Sequence, residues 1–326
     1  MDKVAIIGAG ISGLALANKL QNDFEVVVFE KSRGYGGRVA TRRSGKFIFD
    51  HGAQFFKAKT EEFRDFIKPM LDQNIIDIWK ARFVEIDDGK ITNDRIWGDN
   101  PSNYVGIPSM NAIGKYMASS LDVRLSMKVA NVSKGTKWEL FSDTNDKIGE
   151  FDWVISAIPP KQAIDIIPDV TKLYSQISGY KMLACFSLML GYEEQMDIGF
   201  DTALIKGADI SWLSVNSSKP SSVSNSTFLI HSTNKWASQN IDKDRDWVKS
   251  YLCNELSNLI PIKTESANYI GLQGWRYANI KKQNNNNEYF LDKENKFGLC
   301  GDWFVQGRIE AAFLSGSHLG DHILVS

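Results

Sequence analysis

The spacing G-x-G-x-x-G, filled by Gly8, Gly10 and Gly13, is the first place in this chain where residue types could do chemistry, and Glu30 is its partner in the next strand. Gly8 permits a tight turn, Gly10 lets a pyrophosphate approach the backbone, and Gly13 allows a helix to pack closely on a strand. Ile11 and Ser12 would present backbone N–H groups at a helix N-terminus, where partial positive charge favours an anion. Glu30 can accept both hydroxyl hydrogens of an adenosine ribose and would repel a 2′-phosphate, which disfavours NADP. Lys31 follows, and a second glycine loop, Gly34, Gly36 and Gly37, leads into Arg38. Two glycine loops and an arginine can wrap one pyrophosphate from both sides, the guanidinium making charge-assisted bonds. A simple nicotinamide dehydrogenase has no need of the second loop. Arg33, Arg42 and Arg43 read as a basic surface turn.

A second concentration lies near the other end. The segment GLCGDWFVQGRIEAAFLSG, residues 298–316, reads as a short strand, a turn opened by Gly301 and Asp302, and an apolar helix. Such a unit presents N–H groups to an anion or a polar ligand edge. Just upstream, Trp275, Arg276 and Tyr277 offer two aromatic faces and a cation, suited to a planar, phosphate-bearing substrate. The same three residues could equally be core packing and an ion pair. His51, beside Gly52, is a better substrate-site candidate than His231, which sits at a strand end; Trp212 and Asn216 are further candidates. No metal-ligand spacing and no Ser/His/Asp signature of hydrolysis is present. Cys185, Cys253 and Cys300 are widely spaced with no C-x-x-C pair, which predicts a reducing compartment and small core residues.

The elements that must position these residues follow from the apolar pattern. KVAIIGAG, ISGLALANKLQ and FEVVVFEK form a strand–helix–strand unit, which requires a parallel sheet. Residues 60–74 predict an amphipathic helix capped by Thr60, and SMNAIGKYMASSL a second helix with Ser109 as its cap. Residues 78–107 alternate as short strands, and a strand–turn–strand pair bends at Lys134 and Gly135. The buried strand in EFDWVISAIPP stops at Pro159 and Pro160, where the main domain boundary is expected. Residues 181–191, 202–216 and 226–233 predict long antiparallel strands, and residues 244–259 a helix. The asparagine run 284–287 reads as a mobile surface loop. The fold class is therefore α/β: a Rossmann-like dinucleotide domain from 1–59, 106–160 and 288–326, and a mainly antiparallel α+β substrate domain from 60–105 and 161–287.

Composition narrows the function classes. With 326 residues, 43% of them hydrophobic, the chain can bury two cores. A formal net charge of −1 leaves no electrostatic footprint for nucleic acid or an acidic membrane surface. No apolar run approaches the roughly 18–20 residues of a membrane helix. The opening apolar run is broken by glycines and leads into another strand, unlike a signal peptide. A soluble, cytoplasmic protein acting on a small molecule is expected.

The dinucleotide motif, Glu30 and RGYGGRVAT resemble the flavin-containing amine oxidase superfamily. Within it, FDHGAQFF, YVGIPSMNAIGKYMA, AIPPKQA, WLSVNSSKP, GWRYA and GDWFVQGRIEAAFLSG look like the renalase branch, and they run across nearly the whole chain. The resemblance implies an extended FAD. Asp302 would meet its ribityl–pyrophosphate region, and backbone N–H groups around Ile309, Glu310 and Ala311 would face flavin N1 and O2. Gly52, Ala53 and Gln54 would line the flavin's central edge, and the Val129 backbone would read the adenine. It further implies hydride transfer from a misreduced dihydronicotinamide isomer to flavin N5, then to O2, giving NAD(P)+ and hydrogen peroxide. Neither the cysteine segment of covalent-flavin relatives nor the tyrosine pair of an amine cage is matched, so non-covalent FAD is expected and simple amine oxidation is disfavoured. An amine oxidase or desaturase-like enzyme, and a flavin-binding sensor without fast turnover, are the rival readings.

Overall fold

A computed structural model describes residues 1–98, 101–168, 173–221, 225–284 and 287–325. Asn285 and Asn286, the centre of the asparagine run, lie outside the described residues. The chain forms two compact units: residues 1–38, 113–182 and 280–326, and residues 39–112 and 183–279.

In the first unit, a six-stranded sheet runs in the order Tyr289–Asp292, Phe297–Cys300, Trp153–Ser156, Lys3–Ile7, Glu25–Phe29, Asp122–Arg124. All neighbours are parallel except the outermost pair, Tyr289–Asp292 with Phe297–Cys300. Parallel strands are covered on both faces, which is why VAII, VVVF and WVI read as unbroken apolar runs. The helices Ile11–Leu20 and Ile309–Leu324 pack together through small residues. A Cβ on Gly316 would stand 2.1 Å from the Ser12 carbonyl oxygen, so only glycine permits this approach. A three-stranded antiparallel sheet, Val129–Lys134, Trp138–Ser142 and Lys147–Phe151, adds Val132, Trp138, Leu140 and Phe151 to the core.

The second unit holds a seven-stranded sheet in the order Tyr269–Asn279, Leu183–Tyr192, Ser226–Ser232, Ile210–Val215, Thr202–Lys206, Arg82–Asp87, Lys90–Ile96. It is antiparallel apart from the Thr202–Lys206 and Arg82–Asp87 pair. Strand alternation divides its faces. Phe186, Leu188, Leu213, Phe228 and Ile230 join a core with Trp236, Val248 and Leu252 of the helices Asn234–Asn240 and Arg245–Leu259. Met189 and Leu229 carry the hairpin Thr41–Ser44 and Phe47–Asp50 through Phe47 and Phe49.

Several expectations are revised. The segment 39–59 packs in the second unit because Phe47 and Phe49 are buried on that sheet. The prolines 159 and 160 open the helix Pro160–Ile166 rather than close a domain, and the first unit continues to residue 182. Proline suits a first helical turn, where its missing N–H has no partner to lose. Residues 202–216 contain two strands, not one, because Gly207 turns the chain at φ +74°. Thr60 does cap its helix, accepting from the Phe63 N–H at 3.3 Å, and Asp244 caps Arg245–Leu259 through two N–H groups.

Candidate functional site

The glycine loop of the first unit has the geometry its spacing demands. Gly8 sits at φ +109°, and its N–H donates to the Phe29 carbonyl at 2.8 Å. Gly13 lies so close to the preceding turn that a Cβ there would be 2.1 Å from the Gly8 carbonyl oxygen. A Cβ on Gly10 would meet nothing within 4 Å among the described residues, and this side of the loop is open to a ligand. Gly10 precedes Ile11–Leu20 with no side-chain cap, and Ser12 is buried in the first turn. The second loop is tied to the first: the Gly36 N–H donates to the Ala9 carbonyl at 2.8 Å, and Gly36 and Gly37 adopt φ +93° and +58°.

Glu30 is buried at the end of its strand and accepts from the N–H groups of Ala9 at 3.0 Å and Ser32 at 2.8 Å. A cleft opens here, lined by Gly8, Glu30, Lys31, Val129, Ile158 and Gln162 among others. Arg38 makes a two-pronged ion pair with Asp302, at 3.0 and 2.6 Å, across 264 positions of sequence. Asp302 is buried and opens the short 3-10 turn Asp302–Phe304. Ile309, Glu310 and Ala311 form the first turn of the closing helix, which also begins without a side-chain cap. An open glycine face, two uncapped helix starts, a ribose-sized carboxylate and an apolar cleft together fit a dinucleotide cofactor.

The second unit gathers most of the remaining candidates on one sheet face. Trp212, His231, Ser187 and Gln273 are successive register partners across four strands. His51 stacks on Trp275, with ring centroids 5.2 Å apart. The His51 carbonyl accepts from the Ser187 hydroxyl at 2.7 Å and the Trp275 indole N–H at 2.8 Å. Burial, reinforced by the Arg42 guanidinium and opposed by Asp50, pushes the His51 imidazole down to about 4. Burial, with Lys219 and His51, does the same to His231. Both rings are therefore neutral at physiological pH. Nδ1 of His51 and Oε1 of Gln54 are buried with no hydrogen-bond partner among the described residues, as groups that receive a ligand would be. Gly52 and Ala53, between them, are half-buried. Phe55, Trp97 and Trp212 extend the face with ring centroids 4.8 to 6.3 Å apart.

Two histidines held neutral make a prediction about stability. In the unfolded chain each would protonate near 6.5, whereas the folded ring resists down to about 4. The unfolded state thus binds more protons, and stability falls as pH drops from 6.5 towards 4. Denaturant titrations across that window are expected to show the loss, and His231→Asn to reduce its slope.

Some candidates are placed elsewhere. Arg276 points away from Trp275 along the strand and forms an exposed ion pair with Asp242, so its side chain is not part of this face. Its replacement by alanine is expected to change stability by no more than about 0.5–1 kcal/mol, read as a melting temperature. Tyr277 is half-buried where the pairing with Leu183–Tyr192 shifts register. Asn216 is a clamp whose Oδ1 accepts from the Asp50 N–H at 3.2 Å and whose Nδ2 donates to the Ile48 carbonyl at 3.1 Å. Arg42 is not a surface turn residue: it donates to Gln273 at 2.8 Å. Asp50 and Lys219, unselected from the sequence, form an enclosed ion pair at 3.0 Å. Their only sequence signal was their place inside FDHGAQFF and WLSVNSSKP.

Comparison with known proteins decides the family. Residues 6–70 match an NAD(P)-binding Rossmann-like domain, and residues 90–319 match flavin containing amine oxidoreductases. The chain belongs to the flavin-containing amine oxidoreductase family. FAD is accordingly its cofactor. The fold of this family member is similar to that of a protein assigned as a protoporphyrinogen oxidase from Exiguobacterium, with a TM-score of 0.80, 10% identity and 99% of each chain covered. A redesigned putrescine oxidase gives a TM-score of 0.75 at 14% identity, again over 99% of each chain. Likeness at these identities is likeness of fold. A 70-residue stretch, 20% of this chain, is 41% identical to the prenylcysteine oxidase 1-like protein of Mus musculus, and it covers 14% of that protein. The first curated relatives are matched over only 6% to 14% of their own length.

Proposed function

We propose that this family member is an FAD-dependent oxidase of renalase-like type, acting on a dihydronicotinamide isomer reduced at a ring position other than 4. The net reaction converts the isomer, O2 and a proton into NAD(P)+ and hydrogen peroxide. Bound FAD supplies the two-electron acceptor that O2 reoxidises. The observation that carries the reading is the aromatic sheet face of the second unit: Trp212, Trp275 and two uncharged histidines, with the Arg42 guanidinium held on Gln273 and the Asp50 carboxylate compensated by Lys219. A dihydronicotinamide ring is uncharged and planar, and it becomes a pyridinium cation as it loses hydride. Aromatic faces attract that cation more than the neutral ring, so their contribution grows towards the transition state. Neutral imidazoles accept hydrogen bonds without repelling the developing charge. Such a substrate needs orientation more than a general base, because hydride loss restores aromaticity.

In this reading Gly8, Gly10, Gly13, Glu30, Lys31, Gly36, Gly37, Arg38, Val129 and Asp302 serve the cofactor. Ile309, Glu310 and Ala311 serve it from the closing helix, and His51 to Gln54 enter through their motif. FAD is held non-covalently, since burial pushes the Cys300 and Cys185 thiols up to about 12 and leaves no thiolate to attack a ring. The purified protein is expected to be yellow and to release intact FAD on acid denaturation; flavin left on the precipitate would overturn this. Anaerobic stopped-flow mixing tests the activity. Fast flavin bleaching by a dihydronicotinamide isomer, with slow or no bleaching by amines, is expected. The reverse order would establish amine oxidation instead, and bleaching by neither would leave a flavin-binding sensor.

A further inference from the structure

The enclosed ion pair of the second unit enters that proposal only as a compensated charge. Its side chains are 2% exposed at Asp50 and 4% at Lys219. A pair this deep gives little net stability over an apolar replacement of equal volume, so its presence calls for another account. Asp50 closes the strand Phe47–Asp50 and opens the turn that carries His51, Gly52, Ala53 and Gln54. Its Oδ1 accepts from the Thr41 hydroxyl at 2.7 Å and the Met110 N–H at 2.9 Å, while Oδ2 takes Lys219. Its carbonyl accepts from Gln54 Nε2 at 2.5 Å, and its N–H donates to Asn216. One carboxylate therefore ties the hairpin, the turn, the segment at Met110 and the segment 216–219 together. The ammonium also lies 5.5 Å from the Trp79 ring centroid.

We propose that Lys219 is a positioning residue for the substrate face: locked on Asp50 at 3.0 Å, it pins the turn that carries His51, Gly52, Ala53 and Gln54. The inference rests on the renalase-like reading for its consequence in turnover, but not for its electrostatics. The charged and titratable groups acting on His231 are Lys219 and His51, and those acting on His51 are Arg42 and Asp50. A cation at this place opposes protonation of His231, so the imidazole accepts a hydrogen bond but carries no charge. Fixing the turn also fixes the unpartnered Nδ1 of His51 and Oε1 of Gln54.

Carbon-labelled histidine and a pH titration followed by NMR test this on the FAD-loaded protein, with His231→Asn assigning the resonance. In the parent, His231 is expected to stay neutral down to about pH 4; titration near the ordinary 6.5 would overturn the proposal without any variant. Lys219→Met alone leaves Asp50 buried and uncompensated and is expected to lose folded yield. The neutral pair Asp50→Asn with Lys219→Met removes both charges and is expected to fold and keep FAD. In it, the His231 titration should move upward, the direction expected on losing a neighbouring cation, whereas Lys219→Arg, which keeps the charge, should leave it near the parent value. Flavin reduction by the dihydronicotinamide isomer should slow at least tenfold in the double variant. A folded double variant with parental His231 titration, or with parental reduction rate, refutes the role. If the parent is reduced by no dihydronicotinamide isomer, the renalase-like reading fails while the titration still decides for or against Lys219.

Discussion

Arg38→Ala is expected to yield a protein that loses FAD on dialysis. The substitution acts twice. It removes the guanidinium that would bind the pyrophosphate, and it leaves the Asp302 carboxylate, 5% exposed, without its two-pronged partner. A hydrogen bond to a charged group is worth about 1.5–3 kcal/mol, so cofactor affinity should fall by roughly one to two decades. An unpaired buried carboxylate also costs the apoprotein stability. Combining Arg38→Ala with Asp302→Asn should restore the apoprotein's melting temperature without restoring FAD affinity. Arg38→Lys should recover little, because an ammonium lacks the planar fork that matches a carboxylate and a diphosphate. Fluorescence titration with FAD and thermal melts of the four proteins separate the two effects. Retention of FAD by Arg38→Ala at parental affinity would remove Arg38 from the cofactor site.

Two alanine substitutions three positions apart, at Gly13 and Gly10, are expected to fail in opposite ways. Gly13→Ala drives a methyl to 2.1 Å from the Gly8 carbonyl oxygen and 3.1 Å from the Ala157 side chain. Neither the turn nor the strand end behind it can yield without displacing the helix Ile11–Leu20, so a loss of about 3 kcal/mol or more is expected. Gly10→Ala meets no atom within 4 Å, and its φ of −77° and ψ of 175° suit any residue. The apoprotein should therefore melt as the parent does. Its methyl, however, occupies the open face where a pyrophosphate would approach, and FAD affinity is expected to fall at least tenfold, about 1.4 kcal/mol. A Gly10→Ala protein that binds FAD normally would place the cofactor elsewhere.

The geometry of the glycine loop was legible in the sequence for a local reason. Gly8, Gly10, Gly13 and Glu30 belong to one strand–turn–helix–strand unit, in which backbone sterics and short connections fix the geometry once the residues are chosen. The same holds for Thr60 and Asp244, whose caps bond to N–H groups within three positions. The antiparallel strands were legible from their alternation, but not the turn at Gly207 nor which of their residues share a row.

Sequence by itself thus determined the dinucleotide loop and the α/β class, because these rest on contacts between near neighbours and on periodicity, while the family rests on the likeness of its motifs. Tertiary structure alone decided the partners that lie far apart. Nothing local says that Arg38 will meet Asp302, that His51 will stack on Trp275, or that Arg276, one residue on, will turn to Asp242. Nor does a lysine before Pro220 announce burial against Asp50, since lysine is ordinarily a solvated residue. Strand register makes these choices: a period of two sends neighbouring side chains to opposite faces, and the pairing of strands decides which rows coincide.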